Sequence, residues 1–204
     1  LKPSIDTLGH FARSIEDLEL MRCALTDDTP VKFSDEYTLP KTIGICKTGQ
    51  WHAAQNEVIS MIGKVKECLT SSNTRVEEVI LPNEFTDVMN RSFQVIYSWE
   101  LRAAHEKEIE DHLEEFNPWF QWAVDYAKEL TETDFDEAIL EAKNVRAILD
   151  DIFREVDVIL TPSALGEAPK DLKGIPKNNF NNLWTLMYVP CLNLPLFLGP
   201  NDPP

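Results

Sequence analysis

Two short runs, Thr42-Ile43-Gly44-Ile45-Cys46 and Arg75-Val76-Glu77-Glu78-Val79-Ile80-Leu81, enclose a stretch with helical spacing, and their reading decides the fold. The first run is mostly apolar and rich in β-branched residues, the pattern of a buried strand. Between the runs Val58, Ile62, Val65 and Leu69 recur at intervals of three and four, which predicts a helix from about Ala53 to Ser71. Strand, helix and strand in so short a span form a βαβ unit, and such units pair their strands in parallel through a right-handed crossover.

Outward from this unit the chain reads as alternating helices and strands. Ser14-Ile15-Glu16-Asp17 reads as a capping box, in which the serine hydroxyl caps a backbone N–H and the aspartate returns the bond. The helix it opens carries Leu18, Met21, Cys23, Ala24 and Leu25 and stops near Asp27-Asp28, ahead of a polar loop from Thr29 to Pro40. Beyond the second strand the chain is helical and acidic from Glu84 to about Glu155. One helix covers roughly Glu84 to His112, and Asn117-Pro118 opens a second, since proline suits the first helical turn. A third begins at Thr133-Asp134-Phe135-Asp136 with the stripe Ala138, Ala142, Val145, Leu149 and Ile152. Asp157-Val158-Ile159-Leu160-Thr161-Pro162 reads as a short strand ended by its proline. A long loop from Ser163 to Asn179, a helix from about Phe180 to Tyr188 and a strand Cys191-Leu192-Asn193-Leu194 follow. The expected architecture is α/β, a mixed sheet covered by helices. It forms one incomplete domain over 1–204, with segments 1–28, 40–82, 84–155 and 156–204.

The 204 residues suffice for one sizeable domain, and 43% hydrophobic with 26% charged residues is the balance of a globular protein. Nineteen Lys and Arg against 35 Asp and Glu leave a net charge of -16. Such a surface repels phosphate backbones, so nucleic acid is not the expected partner. No apolar run approaches the roughly 18–20 residues of a membrane span. No signal peptide is read in the opening Leu1-Lys2-Pro3, and a start without methionine suggests a fragment or a processed chain. Cys23, Cys46, Cys68 and Cys191 show neither CxxC pairing nor metal-type spacing, and each lies in an apolar stretch. They are expected as buried free thiols in a reducing compartment, the cytoplasm. The 7 glycines never adjoin one another, which excludes a P-loop, a GxGxxG loop and a glycine/serine-rich oxyanion loop.

Several residues invite a chemical reading. His105, Glu108 and His112 share a helix face, but Glu106, Lys107, Glu110 and Asp111 crowd it, which favours a solvated face over a metal site. No metal or cofactor is expected. Thr161-Pro162-Ser163 stands just past the carboxyl end of a strand, where ligands of open α/β sheets bind, and ending the strand is an equally good role for the proline. Trp184-Thr185 could line the same space, with ordinary core packing as the plainer role of Trp184. Asp6-Thr7 before Gly9 reads as a tight turn. His10 and His52 are isolated, and Lys2 is expected to be mobile and solvated.

Ser4-Ile5-Asp6-Thr7-Leu8-Gly9 with Phe11-Ala12-Arg13-Ser14 and Glu16-Asp17, and Phe180-Asn181-Asn182-Leu183-Trp184-Thr185 with Pro190-Cys191-Leu192-Asn193-Leu194-Pro195, resemble motifs of the amidase signature family. Asp157 to Pro162 looks like that family's buried strand followed by T-P, and Pro40 to Ile45 like the strand after its acidic linker. The resemblance runs through nearly the whole chain in order. It implies an α/β fold and hydrolysis of amides through a Ser–cis-Ser–Lys triad, with a glycine-rich loop holding the oxyanion. That lysine and that loop lie upstream of the D-T-x-G motif in the family, so no catalytic residue is carried over. Ser71-Ser72 follows the wrong helix and lacks glycines, and Lys2-Pro3-Ser4 joins the Asp6-Thr7 motif more tightly than the family pattern does. The resemblance implies that Thr161, Phe180 and Trp184 approach the acyl pocket and that Asp6 holds a turn near it. It implies a small-molecule amide as partner, and it is compatible with a homodimer. Two other readings stand beside it. One is a non-catalytic α/β module that binds a protein through its acidic helices, or a degenerate homologue of the amidase family. The other is the amidotransferase component related to this family, which acts on charged tRNA within a complex.

Overall fold

The computed structural model describes residues 2–33, 39–72, 74–168 and 180–199. The chain divides into two compact units, residues 1–5 with 40–204, and residues 6–39.

The larger unit is built on β1 (Thr42–Cys46), the central strand of a three-stranded sheet. β2 (Arg75–Val79) pairs with it in parallel on one side, Ile43 opposite Val76, and β3 (Val158–Leu160) on the other, Ile45 opposite Leu160. Ile43, Gly44, Ile45 and Cys46 are all buried, as a parallel strand covered on both faces requires. Gly44 is there for space: a Cβ at this position would collide with the Val79 side chain and meet Val156 Cγ1 at 3.2 Å. The parallel βαβ unit is therefore as read from the sequence, with α2 (Asn56–Ser71) burying Val58 and Ile62. Ser71 and Ser72 direct their hydroxyls to the carbonyls of Cys68 and Leu69, each at 2.7 Å.

The helices between β2 and β3 cover the core. The single helix expected over 84–112 is three: α3 (Asn83–Asn90), α4 (Ser92–Ala104) and α5 (Glu106–His112). The axis turns at Arg91 (φ -117°, ψ -70°) and again at His105 (φ -126°, ψ 29°). The turns let each piece face different neighbours. α4 packs between α6 (Pro118–Glu129) and α7 (Glu132–Ile152), whereas the short α5 ends against the 3-10 turn Leu113–Glu115. The main core joins Cys46, Val79, Phe85, Val88, Ile96, Ala142, Val145 and Leu149 to Leu183, Trp184, Leu186 and Met187 of α8 (Asn181–Met187). A second cluster sets Leu101 against Phe120, Ala123 and Val124.

The first residues fold back on this unit. Ile5 is buried, and the Ser4 N–H donates to both carboxylate oxygens of buried Glu100 at 3.2 and 3.1 Å. Lys2, expected in solvent, places its Nζ 5.3 Å from the Tyr97 ring centroid, since its long stem covers apolar surface while the ammonium meets the π-face. The turn of this region is Pro3-Ser4-Ile5, closed by Ile5 N–H to Lys2 C=O, and not the turn expected at Asp6-Thr7.

The strand expected at Cys191–Leu194 is absent: residues 189–199 form no ladder among the described residues. Pro190 and Pro195 lack N–H donors at the two ends of the run, and a tight Leu196 N–H to Leu194 C=O bond bends the chain across Pro195. Leu192, Leu194, Leu196 and Leu198 are all exposed. Two of the expected buried thiols are also exposed. Cys68 lies off the Val58–Ile62–Val65–Leu69 face of α2, and Cys191 lies in the uncovered terminal stretch. Cys46 is buried, which pushes its thiol up to about 12. The expected loops at 29–40 and 163–179 are described only in part, and residues 200–204 lie outside the described chain.

The smaller unit holds α1 (Ile15–Thr26). Ser14 Oγ accepts the Asp17 N–H at 3.1 Å, while the Asp17 carboxylate stays exposed, so only the serine half of the expected box forms. Arg22 grips Glu19 at 2.8 and 2.9 Å and Asp28 at 2.7 Å, and with the Val31 N–H it holds the Glu19 carboxyl down to about 2. The helix stops at Asp27, whose left-handed φ of 57° short aspartates tolerate.

A full capping box does form at α7. Thr131 Oγ1 accepts the Asp134 N–H at 3.2 Å, and Asp134 Oδ2 accepts the Thr131 N–H at 2.8 Å.

This packing can be probed at the sheet and at the cap. Gly44→Ala forces a methyl against Val79 and costs about 1–3 kcal/mol in urea unfolding. The bonds from Thr131 hold the Asp134 carboxyl below its ordinary 3.8. A depressed folded-state value stabilises above the unfolded one, and that stability is lost as pH falls through the lower, folded-state value. Acid unfolding of Asp134→Asn therefore shows a shallower loss of stability below pH 3.8 than the parent chain.

Candidate functional site

The parallel register decides which loops meet. Because Ile45 lies opposite Leu160, β1 and β3 release their following residues at the same end of the sheet. This is the carboxyl end, where α/β sheets place ligands. The loop after β1 is braced from within. Thr48 is buried, its Oγ1 accepts the Gln50 N–H at 3.3 Å, and its carbonyl accepts the Trp51 N–H at 2.9 Å. His52 Nδ1 lies 2.8 Å from the Gly49 carbonyl, and Lys47 Nζ sits 5.5 Å from the Trp51 ring centroid.

After β3 the chain passes Thr161 and the fully buried Pro162, then crosses to the other loop. There the Leu165 carbonyl accepts the Gln55 N–H at 2.7 Å, and Gly166 leaves room for the Gln55 side chain. The two loops are thus one hydrogen-bonded surface at the sheet end. Two of its polar atoms are buried with no partner among the described residues: Thr161 Oγ1 and Gln50 Oε1. An unpaired buried polar atom costs about 1–3 kcal/mol.

Phe180, the residue that caps α8, and Trp184 within it stand about one helical turn apart, Phe180 fully buried and Trp184 4% exposed. Trp184 belongs to the main core, the plainer role expected of it, and its Nε1 is also buried without a partner among the described residues. No hydrogen bond among the described residues joins Thr161 to Trp184. Arg146 of α7 fixes the far end of α8: its Nε–H donates to the Leu186 carbonyl at 2.8 Å, and its guanidinium lies 3.6 Å from the Tyr188 ring centroid.

Two polar features are not marked by any sequence motif. Gln50 is one. The other is a cleft of about 280 Å³ lined by Arg91, Ser92, Tyr126, Asp134, Glu137 and Glu141, in which the buried Ser92 hydroxyl donates to Glu141. A signal for the cleft existed, because Ser92 interrupts the Val88–Val95 spacing. A polar residue inside an apolar stripe needs a partner. The triplet His105, Glu108 and His112 is drawn apart. His105 packs edge-on to Phe120 with centroids 5.7 Å apart, and His112 Nδ1 lies 3.1 Å from Glu115 Oε1.

Two solved structures share this backbone arrangement. An amidase superposes with a TM-score of 0.65 and 25% identity over 77% of this chain and 35% of its own. A bacterial aryl acylamidase of the amidase signature enzymes family does so at 0.51, with 16% identity over 72% of this chain and 35% of its own. The chain thus spans about a third of the length of each. No family model matches the sequence, and no curated protein does. The resemblance to amidase signature enzymes read from the terminal motifs is present in the backbone, and the fold is α/β as expected.

Arg146→Leu removes a charged hydrogen bond and a ring contact together. It is expected to cost about 1.5–3 kcal/mol. Hydrogen exchange would then show α8 amides opening ahead of those of β1.

Proposed function

We propose that this chain is the strand-and-cover portion of an amide hydrolase of the amidase signature type. It supplies the carboxyl ends of β1 and β3 as one wall of the acyl pocket, with Thr161, Phe180 and Trp184 facing a small-molecule carboxamide. The Ser–cis-Ser–Lys triad and the oxyanion loop belong to sequence upstream of Asp6 in such enzymes, and the chain by itself does not turn over substrate. The reaction would proceed in the cytoplasm. What supports the reading is the amidase backbone likeness over 77% of the chain together with the position of Thr161-Pro162 at the carboxyl end of β3. In that setting a buried polar wall suits catalysis, because groups fixed in a water-poor site need no reorganisation when charge develops on the carbonyl oxygen.

The test is release of p-nitroaniline from acyl p-nitroanilides. The chain alone is expected to release none, and the chain fused behind the glycine/serine-loop half of an amidase is expected to release it. Turnover by the unfused chain would place a nucleophile within these 204 residues. No turnover by a folded fusion would remove the amidase reading.

A further inference from the structure

The helical cover carries a run of aromatic rings whose middle lies open to solvent. On α6, Trp119 stacks on Trp122 with centroids 4.6 Å apart, and Trp122 stacks on Tyr126 at 5.4 Å. Tyr97 of α4 lies 6.3 Å from Trp119 and extends the run across the helix pair. α6 buries Phe120, Ala123, Val124 and Ala127, and neither tryptophan belongs to either core cluster. Trp119 is 45% and Trp122 39% exposed, although large aromatic rings are the side chains that cores and interfaces gain most from covering. The run ends at charge. Tyr126 also lines the cleft of about 280 Å³, whose lining among the described residues holds Asp134, Glu137 and Glu141 against one cation, Arg91. At the other end Tyr97 already receives a cation, the Lys2 ammonium 5.3 Å from its centroid.

We infer that the Trp119–Trp122–Tyr126 face and its cleft are a docking surface for an arginine-bearing segment of a partner protein. Ring faces attract cations and carboxylates pair with them, so the surface suits one chemical group in two ways. A guanidinium fits better than an ammonium, since its flat face stacks on a ring while its fork bonds a carboxylate. Charge decides between occupants. The chain carries a net charge of -16, so a second copy or an anionic lipid surface brings like charges together, whereas a basic segment is drawn in. The stacked rings supply the anchor, and the carboxylates beside Tyr126 supply the pairing. The inference does not rest on the amide-hydrolase reading, because it uses only the helical cover.

The experiment titrates the whole chain with hexa-arginine and hexalysine peptides of equal charge. Binding is followed calorimetrically at about 0.15 M salt, where distant surface charges are largely screened. The parent chain is expected to bind hexa-arginine about tenfold more tightly. Trp119→Ala combined with Trp122→Ala should erase that preference by weakening hexa-arginine alone, with little change in urea unfolding because both rings are partly in solvent. Glu137→Gln should weaken both peptides. Glu67→Gln, the same charge change at an exposed position of α2, should weaken neither. If the double variant keeps the preference, or if Glu67→Gln and Glu137→Gln act alike, the binding is general attraction to an acidic chain and the inference fails. It fails also if neither peptide binds the parent. Sedimentation that shows a dimeric parent and a monomeric double variant would assign the rings to a second copy and overturn the inference. The fusion with an amidase half supplies the last arm. Equal binding of hexa-arginine by the fusion supports an open face, and loss of binding means that the rest of such an enzyme covers the rings, which sinks the inference while the amide-hydrolase reading stands.

Discussion

The close approach of β1 to its surroundings at Gly44 is the constraint on which the larger unit depends. β1 is paired on both edges and buried on both faces, so its backbone cannot shift without breaking two ladders at once. At Gly44 the strand leaves no room for a methyl against Val79 and Val156. That contact seats β2 and the start of β3 against the same core. The register then follows, and with it the identity of the residues that emerge together at the carboxyl end. Gln50 and Thr161 are far apart in sequence and share a surface only because Ile45 lies opposite Leu160.

Several buried polar groups inside the larger unit are compensated by partners from distant elements. Glu100 takes two bonds from the Ser4 N–H, Ser92 donates to Glu141, and Asp134 closes the α7 cap. These groups hold elements together and are compensated where they stand. Among the described residues Gln50 Oε1, Ser98 Oγ, Arg146 Nη2, Thr161 Oγ1 and Trp184 Nε1 are buried without a partner, and of these Gln50 and Thr161 belong to the loops at the carboxyl end of the sheet. Solvation gives a plain account of the charge as well. The acidic residues of the helical cover, which contribute to the net charge of -16, are mostly exposed, where carboxylates keep their hydration at little cost.

Much of the fold was legible because local chemistry agreed with it. Val58, Ile62, Val65 and Leu69 marked α2, and the stripe from Ala138 to Leu149 marked α7. Thr161-Pro162 marked the end of β3. The failures share one cause, that the deciding contact is distant in sequence. Cys191 to Leu194 has the composition of a strand, but a strand exists only where another offers its free edge, and two prolines bound this run. The run from Glu84 to His112 has unbroken helical character, yet it turns at Arg91 and His105 because its neighbours change along its length. Of the candidate site, Thr161, Phe180 and Trp184 could be nominated from their motifs, whereas Gln50 could not. Its place at the sheet end depends on the parallel pairing of β1 with β3, which no sequence spacing expresses.

The sequence by itself determined the α/β class, the parallel βαβ unit and the family resemblance. These rest on period, on β-branched composition and on short motifs, all of which act over a few residues. The tertiary structure alone decided the kinks of the helical cover, the exposure of Cys68 and Cys191, the seating of Lys2 on Tyr97, and the meeting of the Gln50 and Thr161 loops at one sheet end. Each of these depends on which distant surface a residue meets, because burial and hydrogen-bond satisfaction are properties of the packed whole.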